Sequence, residues 1–515
     1  MKPSRPGPVR RGPNPVAPRE APVQIEGYIF TSSQISICFV LACAAILGNA
    51  IWHLGSTDIT TLAAYLLIAF GWAVPTGLWS RGKANGMPLY PIFCSVNFIA
   101  FGLPLLTDHP WVVIFPPEAH LQAAWTIASG LLAGTAVWFT LTRRHGRAPI
   151  TCLQMDDKGG ETLLLLAITL SVLFNLNRMT LWLPLEGGVL GLIRGVIEGL
   201  SMLGIFVLGQ RMGSGRLQPK YVSFYVVLLV CQSAIQITSL LLVNIFSTVI
   251  LACAGYFLGS RRFPWLVLGS FALLLAFFHG GKSEIRNKYW DFGGSQVVLR
   301  SLGDFFELYD RWIEYSWRNL TTSAAQDEER ASQSTLVERT SLMHLLLYMQ
   351  DLNQKGLNHL EGSTYTIIPS LLTPRVINPD KPWSHEGTYR LNIHYGIQTR
   401  EETTTTTIGF GLLNEGYGNF GYLGCVGICM CIGALFGWVS RWAWGMPVLS
   451  FRSLFSVLVL GASFQTEYSM GVFITVLFQG TMALGFFSFF FMKKRPHSGV
   501  LDWLRTHETA TLPTT

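Results

Sequence analysis

Repeatedly along this chain, apolar residues run on for longer than a water-soluble fold can bury. Runs beyond roughly 18 apolar residues mark membrane-crossing helices. Apolar stretches fall at 33–53, 59–78, 89–106, 121–141, 161–177, 188–209, 221–238, 241–259, 263–279, 410–439, 449–466 and 470–491. Residues 221–259 form one continuous run. At about 1.5 Å of rise per residue that is too long for one crossing helix, so it divides into a hairpin. Composition agrees: 50% of residues are hydrophobic and 13% charged, against about 25% charged in soluble domains. The expected fold is an all-α polytopic membrane protein with about twelve transmembrane helices and a large, partly helical outward-facing loop.

Basic residues orient these spans. Arg81 and Lys83 follow the second span, and Arg143, Arg144 and Arg147 the fourth. Arg211, Arg216 and Lys220 follow the sixth, Arg261 and Arg262 the eighth, Arg441 the tenth, and Lys493, Lys494 and Arg495 the last. Every second connection is basic, which by the positive-inside rule makes both termini cytoplasmic. The net charge of +7 therefore reports topology and gives no reason to expect nucleic acid as a partner. The domain reading is a disordered basic cytoplasmic tail over 1–32, nine spans over 33–279, a periplasmic loop over 280–409, three spans over 410–491 and a cytoplasmic tail over 492–515. Seven prolines among the first 22 residues support disorder in the first tail. The first apolar run is span-length and lacks a clear cleavage site, so it reads as a signal anchor.

All nine cysteines lie in or beside apolar runs, and the polar segment 280–407 has none. This excludes a disulfide framework and a cysteine metal site. Cys425, Cys429 and Cys431 read as small residues filling helix contacts.

A loop of this length is expected to be functional or disordered. VVLRSLGDFFELYDRWIEYSW and RTSLMHLLLYMQDLNQKGLNHL carry amphipathic helical spacing, suited to the membrane surface or to capping the bundle. A coil-like basic stretch follows over 361–402, and the threonines 403–407 read as an extended connector. Three short stretches stand out: HGGKSEIRNKYW at the start of the loop, TPRVINPDKPW in its middle and LLNEGYGNFGYLG at its end.

Together these stretches resemble the Wzy-type O-antigen and exopolysaccharide repeat-unit polymerases of bacterial envelopes. Those proteins share many spans, a large outward loop before the last few spans, a PR…PDKP-like stretch and a GE-Y-NFG-G-like stretch. Here the Glu precedes the Gly: Asn414, Glu415 and Gly416 are followed by Tyr417, Asn419, Phe420, Gly421 and Gly424. The resemblance covers the topology of the whole chain, but its motifs only from His279 to Gly424. It implies a GT-C-like glycosyltransferase of the inner membrane, inverting and without a required metal or other cofactor. Its substrates would be polyprenyl-pyrophosphate-linked glycans, both donor and acceptor. Membrane lipid, a chain-length regulator and a flippase are the implied partners.

The residue inventory is compatible with such chemistry. Displacement at an anomeric carbon needs a base for the acceptor hydroxyl and charge stabilisation for the departing pyrophosphate. Lys282, Arg286, Arg375, Lys381, Arg390, Arg400 and Arg178 are the candidate pyrophosphate cations. No Asp-x-Asp occurs, which disfavours metal chelation of that kind. Glu415 is the candidate base, helped by His385 or His394. An acid in or beside hydrocarbon normally faces a polar cavity or partner. The alternative is a helix-terminal acid that complements the dipole or an Arg. Trp383, Tyr417, Asn419 and Phe420 are candidate sugar contacts.

Other readings stay open for several of these residues. Lys282 and Arg286 also suit an interfacial cluster snorkelling to headgroups, and Arg178 an interfacial anchor. Arg194 and Glu198, four apart in the sixth span, suit an ion pair. His53, His109 and His120 read as interfacial. The rival functions are an O-antigen ligase, with lipid A–core as acceptor, and a transporter, which the absence of evident repeated halves disfavours.

Overall fold

The computed structural model describes residues 32–496 apart from 145–148, 150, 157–158, 181, 184–187, 239–241, 261, 292–295, 298, 300, 322–339, 374–376 and 379. The proline-rich tail and the residues after 496 lie outside the described residues. Before the long loop the helices are α1 (Ser32–Trp52), α2 (Ile59–Ser80), α3 (Leu89–Phe101), the single turn α4 (Pro110–Val113), α5 (Pro117–Thr142), α6 (Glu161–Thr180), α7 (Gly188–Gly213), α8 (Pro219–Thr238), α9 (Leu242–Ser260) and α10 (Trp265–Gly280). The loop contributes α11 (Lys282–Tyr289), α12 (Leu302–Thr321), α13 (Met343–Gln354), α14 (Ile368–Leu371), α15 (Glu386–His394) and α16 (Glu402–Thr405). The chain ends with α17 (Gly411–Trp442), α18 (Phe451–Ser463) and α19 (Met470–Phe491). Each apolar stretch read from the sequence is thus occupied by a helix. Among the described residues eight helices are long and apolar enough to cross a membrane, and three shorter apolar ones accompany them. The protein is an all-α polytopic membrane protein.

Two apolar cores organise the bundle. One joins α2, α3, α5, α13 and α17 around Tyr65, Phe93, Ile127, Leu346 and Phe436. The other joins α6, α7, α18 and α19 around Ile168, Phe206, Leu454 and Phe487. Lipid chains are as apolar as leucine, so helices in a membrane associate by close packing rather than by the hydrophobic effect. Glycines supply that closeness between α7 and α9: a Cβ at Gly259 would lie 2.0 Å from the Gln210 carbonyl oxygen, and one at Gly255 would lie 2.2 Å from that of Phe206. Cys425 and Cys429 play the same small-residue part on α17, packed on Gly130 of α5.

The amphipathic patterns of the loop cap the ends of the helices. Trp312 of α12 is buried and donates from its indole N–H to the Phe278 carbonyl at 2.7 Å. Tyr309 donates to the Ala234 carbonyl at 2.7 Å. On α13, Leu346 and Met349 join the first core, and Gln350 donates to the Thr126 hydroxyl at 3.2 Å. The stretch 361–402, expected to be coil-like, instead contains α14, α15 and the start of α16. The threonine run also begins as a helical turn. Thr399 and Glu402 cap each other, backbone N–H to side chain, at 2.7 and 3.3 Å, a reciprocal box that outweighs the β preference of threonine. His109 and His120 are buried; His120 bonds Thr61 at 2.9 Å and the Val112 carbonyl at 3.0 Å. The side chain of Arg194 lies outside the described residues.

Two small sheets complete the fold. Strand β1 (Thr151–Met155) pairs antiparallel with β4 (Met492–Pro496), Thr151 opposite Pro496 and Met155 opposite Met492. Strands β2 (Trp290–Asp291) and β3 (Gln296–Val297) form a short hairpin. The β1–β4 pairing places basic residues against Asp156, which takes Lys493 at 3.6 Å and also Arg495. Nearby, Arg211 is 0% exposed. It pairs with Glu161 at 2.6 Å and donates to the carbonyls of Gly159 and Asp156 at 2.8 and 2.7 Å. Sequence position marks Arg211 as a topology signal; the fold also makes it a buried tie between α6 and α7.

Two outcomes follow. Arg211→Met should lower stability by about 3–5 kcal/mol, because Glu161 is left as an uncompensated charge; thermal unfolding of detergent-purified protein measures it. The second concerns His344, whose ring stacks on His109 at 5.0 Å. Burial and the charge of His109 push its pKa down to about 4 from an ordinary 6.5. The unfolded chain then binds more protons between those values, so stability should fall as pH drops from 6.5 toward 4. The slope is at most about 1.4 kcal/mol per pH unit. His344→Phe should flatten that part of the pH–stability curve.

Candidate functional site

Helix α17 is broken in its first third. Phe420 has φ −138° and ψ 20°, and Gly421 has φ 62° and ψ −147°. The positive φ needs glycine. In a straight helix Gly416 and Gly424 would be about 12 Å apart. Here a Cβ at Gly424 would lie 2.0 Å from the Gly416 carbonyl oxygen, so the two segments lie side by side. The chain enters as a short segment, reverses at Phe420–Gly421 and continues as a long helix.

Such a reversal frees backbone carbonyls, which hydrocarbon does not tolerate unpaired. The segment between α10 and α17 satisfies them. Leu360 N–H donates to the Gly418 carbonyl and Glu361 N–H to that of Asn419, each at 3.0 Å. Glu361 takes a φ of 50° to do so. Irregular backbone of this kind within an apolar helix occurs where it is buried in protein or lines a cavity.

The short segment carries Glu415, which is 0% exposed. Oε2 accepts the N–H of Met470, the first residue of α19, at 2.5 Å. The helix-terminal reading of this acid is therefore realised, but on the N-terminus of a different helix. Oε1 is buried beside the Thr364 side chain. It faces Gly387 of α15, where a Cβ would stand 3.4 Å away.

Polar groups gather around it. Asn419 donates to the Thr364 hydroxyl and to the Glu415 carbonyl, both at 2.8 Å. Asn414 donates to the Leu342 carbonyl at 3.0 Å. Tyr365 Oη reaches the Asn419 side chain, and the second polar atoms of Asn414 and Asn392, with Ser469 Oγ and His359 Nδ1, are buried without a partner among the described residues. Burial and the Glu415 charge push the Tyr365 phenol well up. Buried polar atoms are nearly always paired, so a concentration of exceptions marks a special place.

The remaining candidates fall in separate groups. Helix α15 gathers one of them. Arg400 grips Glu386 bidentately at 3.2 and 3.1 Å, and Arg390 approaches the same carboxylate at 3.6 Å. Arg390 also donates to the Ser363 carbonyl at 2.6 Å. Lys381 donates to the carbonyls of Leu371 and Thr373 at 3.0 and 2.9 Å, which pins the loop after α14. Lys282 and Arg286 ride on α11, and Arg178 is exposed on the last turn of α6. Arg375 lies outside the described residues. Among the described residues, Arg390 and Arg400 share the Glu386 carboxylate, whereas Lys381 is spent on backbone carbonyls.

The two histidines also part company. His385 precedes α15, its ring stacked on Tyr389 at 6.3 Å. His394 ends the same helix, bonded to the Asn358 carbonyl at 2.8 Å. Nine residues of helix separate them by about 13 Å, so both cannot serve one carboxylate. Trp383 is 67% exposed, and Phe420 is 52% exposed with its ring stacked on Tyr365 at 6.3 Å. Tyr417 is buried, edge-on to His359 at 5.6 Å.

Sequence reasoning missed Glu386, His359, Thr364, Tyr365 and Glu467. Glu467 was detectable, since it follows an apolar run much as Glu415 precedes one. Burial pushes its carboxyl up, and the charge of Lys282 draws it partly back. Three residues later Met470 meets Glu415, so one turn before α19 carries both the Glu467 carboxyl and the N–H that holds the buried acid.

No family model, curated protein or solved structure matches this chain. The site therefore rests on its own geometry. Gly421→Ala tests the reversal. A Cβ there would sit 2.9 Å from His359 Nε2 on a backbone of positive φ. The variant should lose about 1–3 kcal/mol, read as a lower unfolding temperature in detergent, while Gly427→Ala, with open space around it, should change little.

Proposed function

We propose that this protein is a membrane glycosyltransferase that extends a lipid-linked glycan, as the resemblance to repeat-unit polymerases implies. In this reading the chain spans the inner membrane twelve times, with both termini cytoplasmic and the loop over 280–409 outside. A hydroxyl of the lipid-linked acceptor attacks the anomeric carbon of the donor glycan. A new glycosidic bond forms, the bond to the polyprenyl pyrophosphate breaks, and the hydroxyl proton passes to a carboxylate. The pyrophosphate leaves with its electron pair.

One observation carries the reading. Helix α15 holds Arg390 and Arg400 on Glu386, while the next residue, Gly387, covers the buried Oε1 of Glu415. Two cations suited to a diphosphate thus stand one residue from the cover of a buried acid. Glu386 holds them in readiness, and a diphosphate competes for them with twice the acceptor capacity. Glu415 takes the acceptor proton. Its complete burial means that α15 must lift for substrate to reach it, as lids do in many enzymes. Exposed Phe420, stacked on Tyr365, and exposed Trp383 offer aromatic faces for sugars on the outer side.

Purified protein given lipid-linked oligosaccharide should lengthen it, and no lengthening by the unaltered protein would refute the reading. Glu415→Gln keeps an oxygen for the Met470 N–H and so should remain folded. Its elongation rate should drop by about 10²–10⁴-fold, the range for loss of a general base. An unchanged rate with the melt preserved would reduce Glu415 to a helix cap.

A further inference from the structure

A groove runs between the two apolar cores, walled by α1, α9, α18 and the connection from α2 to α3. Ile35, Trp79, Phe246, Ala254, Val457 and Gly461 represent its sides, and among the described residues no charged side chain lines it. Along α9 it extends from Phe246 to Leu258, about 18 Å of helical rise. It opens beside α1, whose Val40, Leu41 and Leu47 are exposed and apolar.

Its surroundings decide what fills it. The walls are apolar helices of a membrane protein, so the medium at its mouth is hydrocarbon and not water. An unfilled groove would forfeit dispersion contacts along both walls. Its length is close to one leaflet of a hydrocarbon core about 30 Å thick. That matches a single fatty-acyl chain and falls far short of a long isoprenoid. The uncharged lining leaves the headgroup to the interface. Gly461 shows that the space is real: a Cβ there would meet no atom within 4 Å.

We infer that this groove is a binding site for one acyl chain of a bilayer glycerolipid, wedged between the two cores and joining them. The lipid completes packing that the protein's own side chains leave open. It shares no described lining residue with the centre around Glu415.

The test uses the full chain purified in mild detergent. Native mass spectrometry and solvent extraction should find a glycerophospholipid retained with the unaltered protein. Gly461→Phe directs a ring into the groove and should abolish retention while the protein stays monodisperse. Ala254→Leu, a smaller change on the opposite wall, should reduce retention and serves if the first variant does not fold. Adding phosphatidylethanolamine to delipidated protein should raise its unfolding temperature, and that rise should vanish in the filled variants. Absence of retained lipid, equal retention by folded filled variants, or a retained lipid that proves to be a polyprenyl phosphate would each overturn the inference.

Discussion

The two hydrogen bonds from Leu360 and Glu361 to the carbonyls of Gly418 and Asn419 govern the architecture of this protein. A helix that reverses inside an apolar bundle must hand its freed carbonyls to other donors. Here those donors come from the segment between α10 and α17, which is therefore part of the bundle and not an attachment to it. The same bonds fix Gly362 beneath Phe420 and bring Thr364 to Asn419. From that point the loop runs on to α15, whose Gly387 closes over Glu415. Reversal, loop and buried acid form one cooperative unit.

This unit packs on α5 within the first core and also reaches α19. Its first N–H is held by Glu415, and its far end continues into β4, paired with β1. One helix thus links the polar centre to the basic end of the molecule, where Arg211 ties α6 to α7. The glycine contacts between α7 and α9 make that second core rigid.

The corrections to the sequence reading share a cause. The stretch 361–402 lacks the long apolar periodicity of a helix, yet it holds short helices because caps and tertiary contacts stabilise them one turn at a time. The Thr399–Glu402 box was legible as a T-x-x-E pattern; its competition with β propensity was not. Arg390 and Arg400 were picked as cations, but nothing local shows that Glu386 gathers both. His385 and His394 were grouped by residue type, and the helix between them sets them apart.

The sequence by itself determined the membrane class, the position of each apolar helix and the presence of an unusual acid at Glu415. These follow from local quantities: the length of apolar runs and the cost of a carboxylate near hydrocarbon. Only the tertiary structure decided that α17 turns back on itself, that Glu415 caps α19, and that Glu386 gathers Arg390 and Arg400. The reason is that such facts depend on which distant backbone donors reach which carbonyls, and pairings across fifty or more residues leave no periodic trace in the chain.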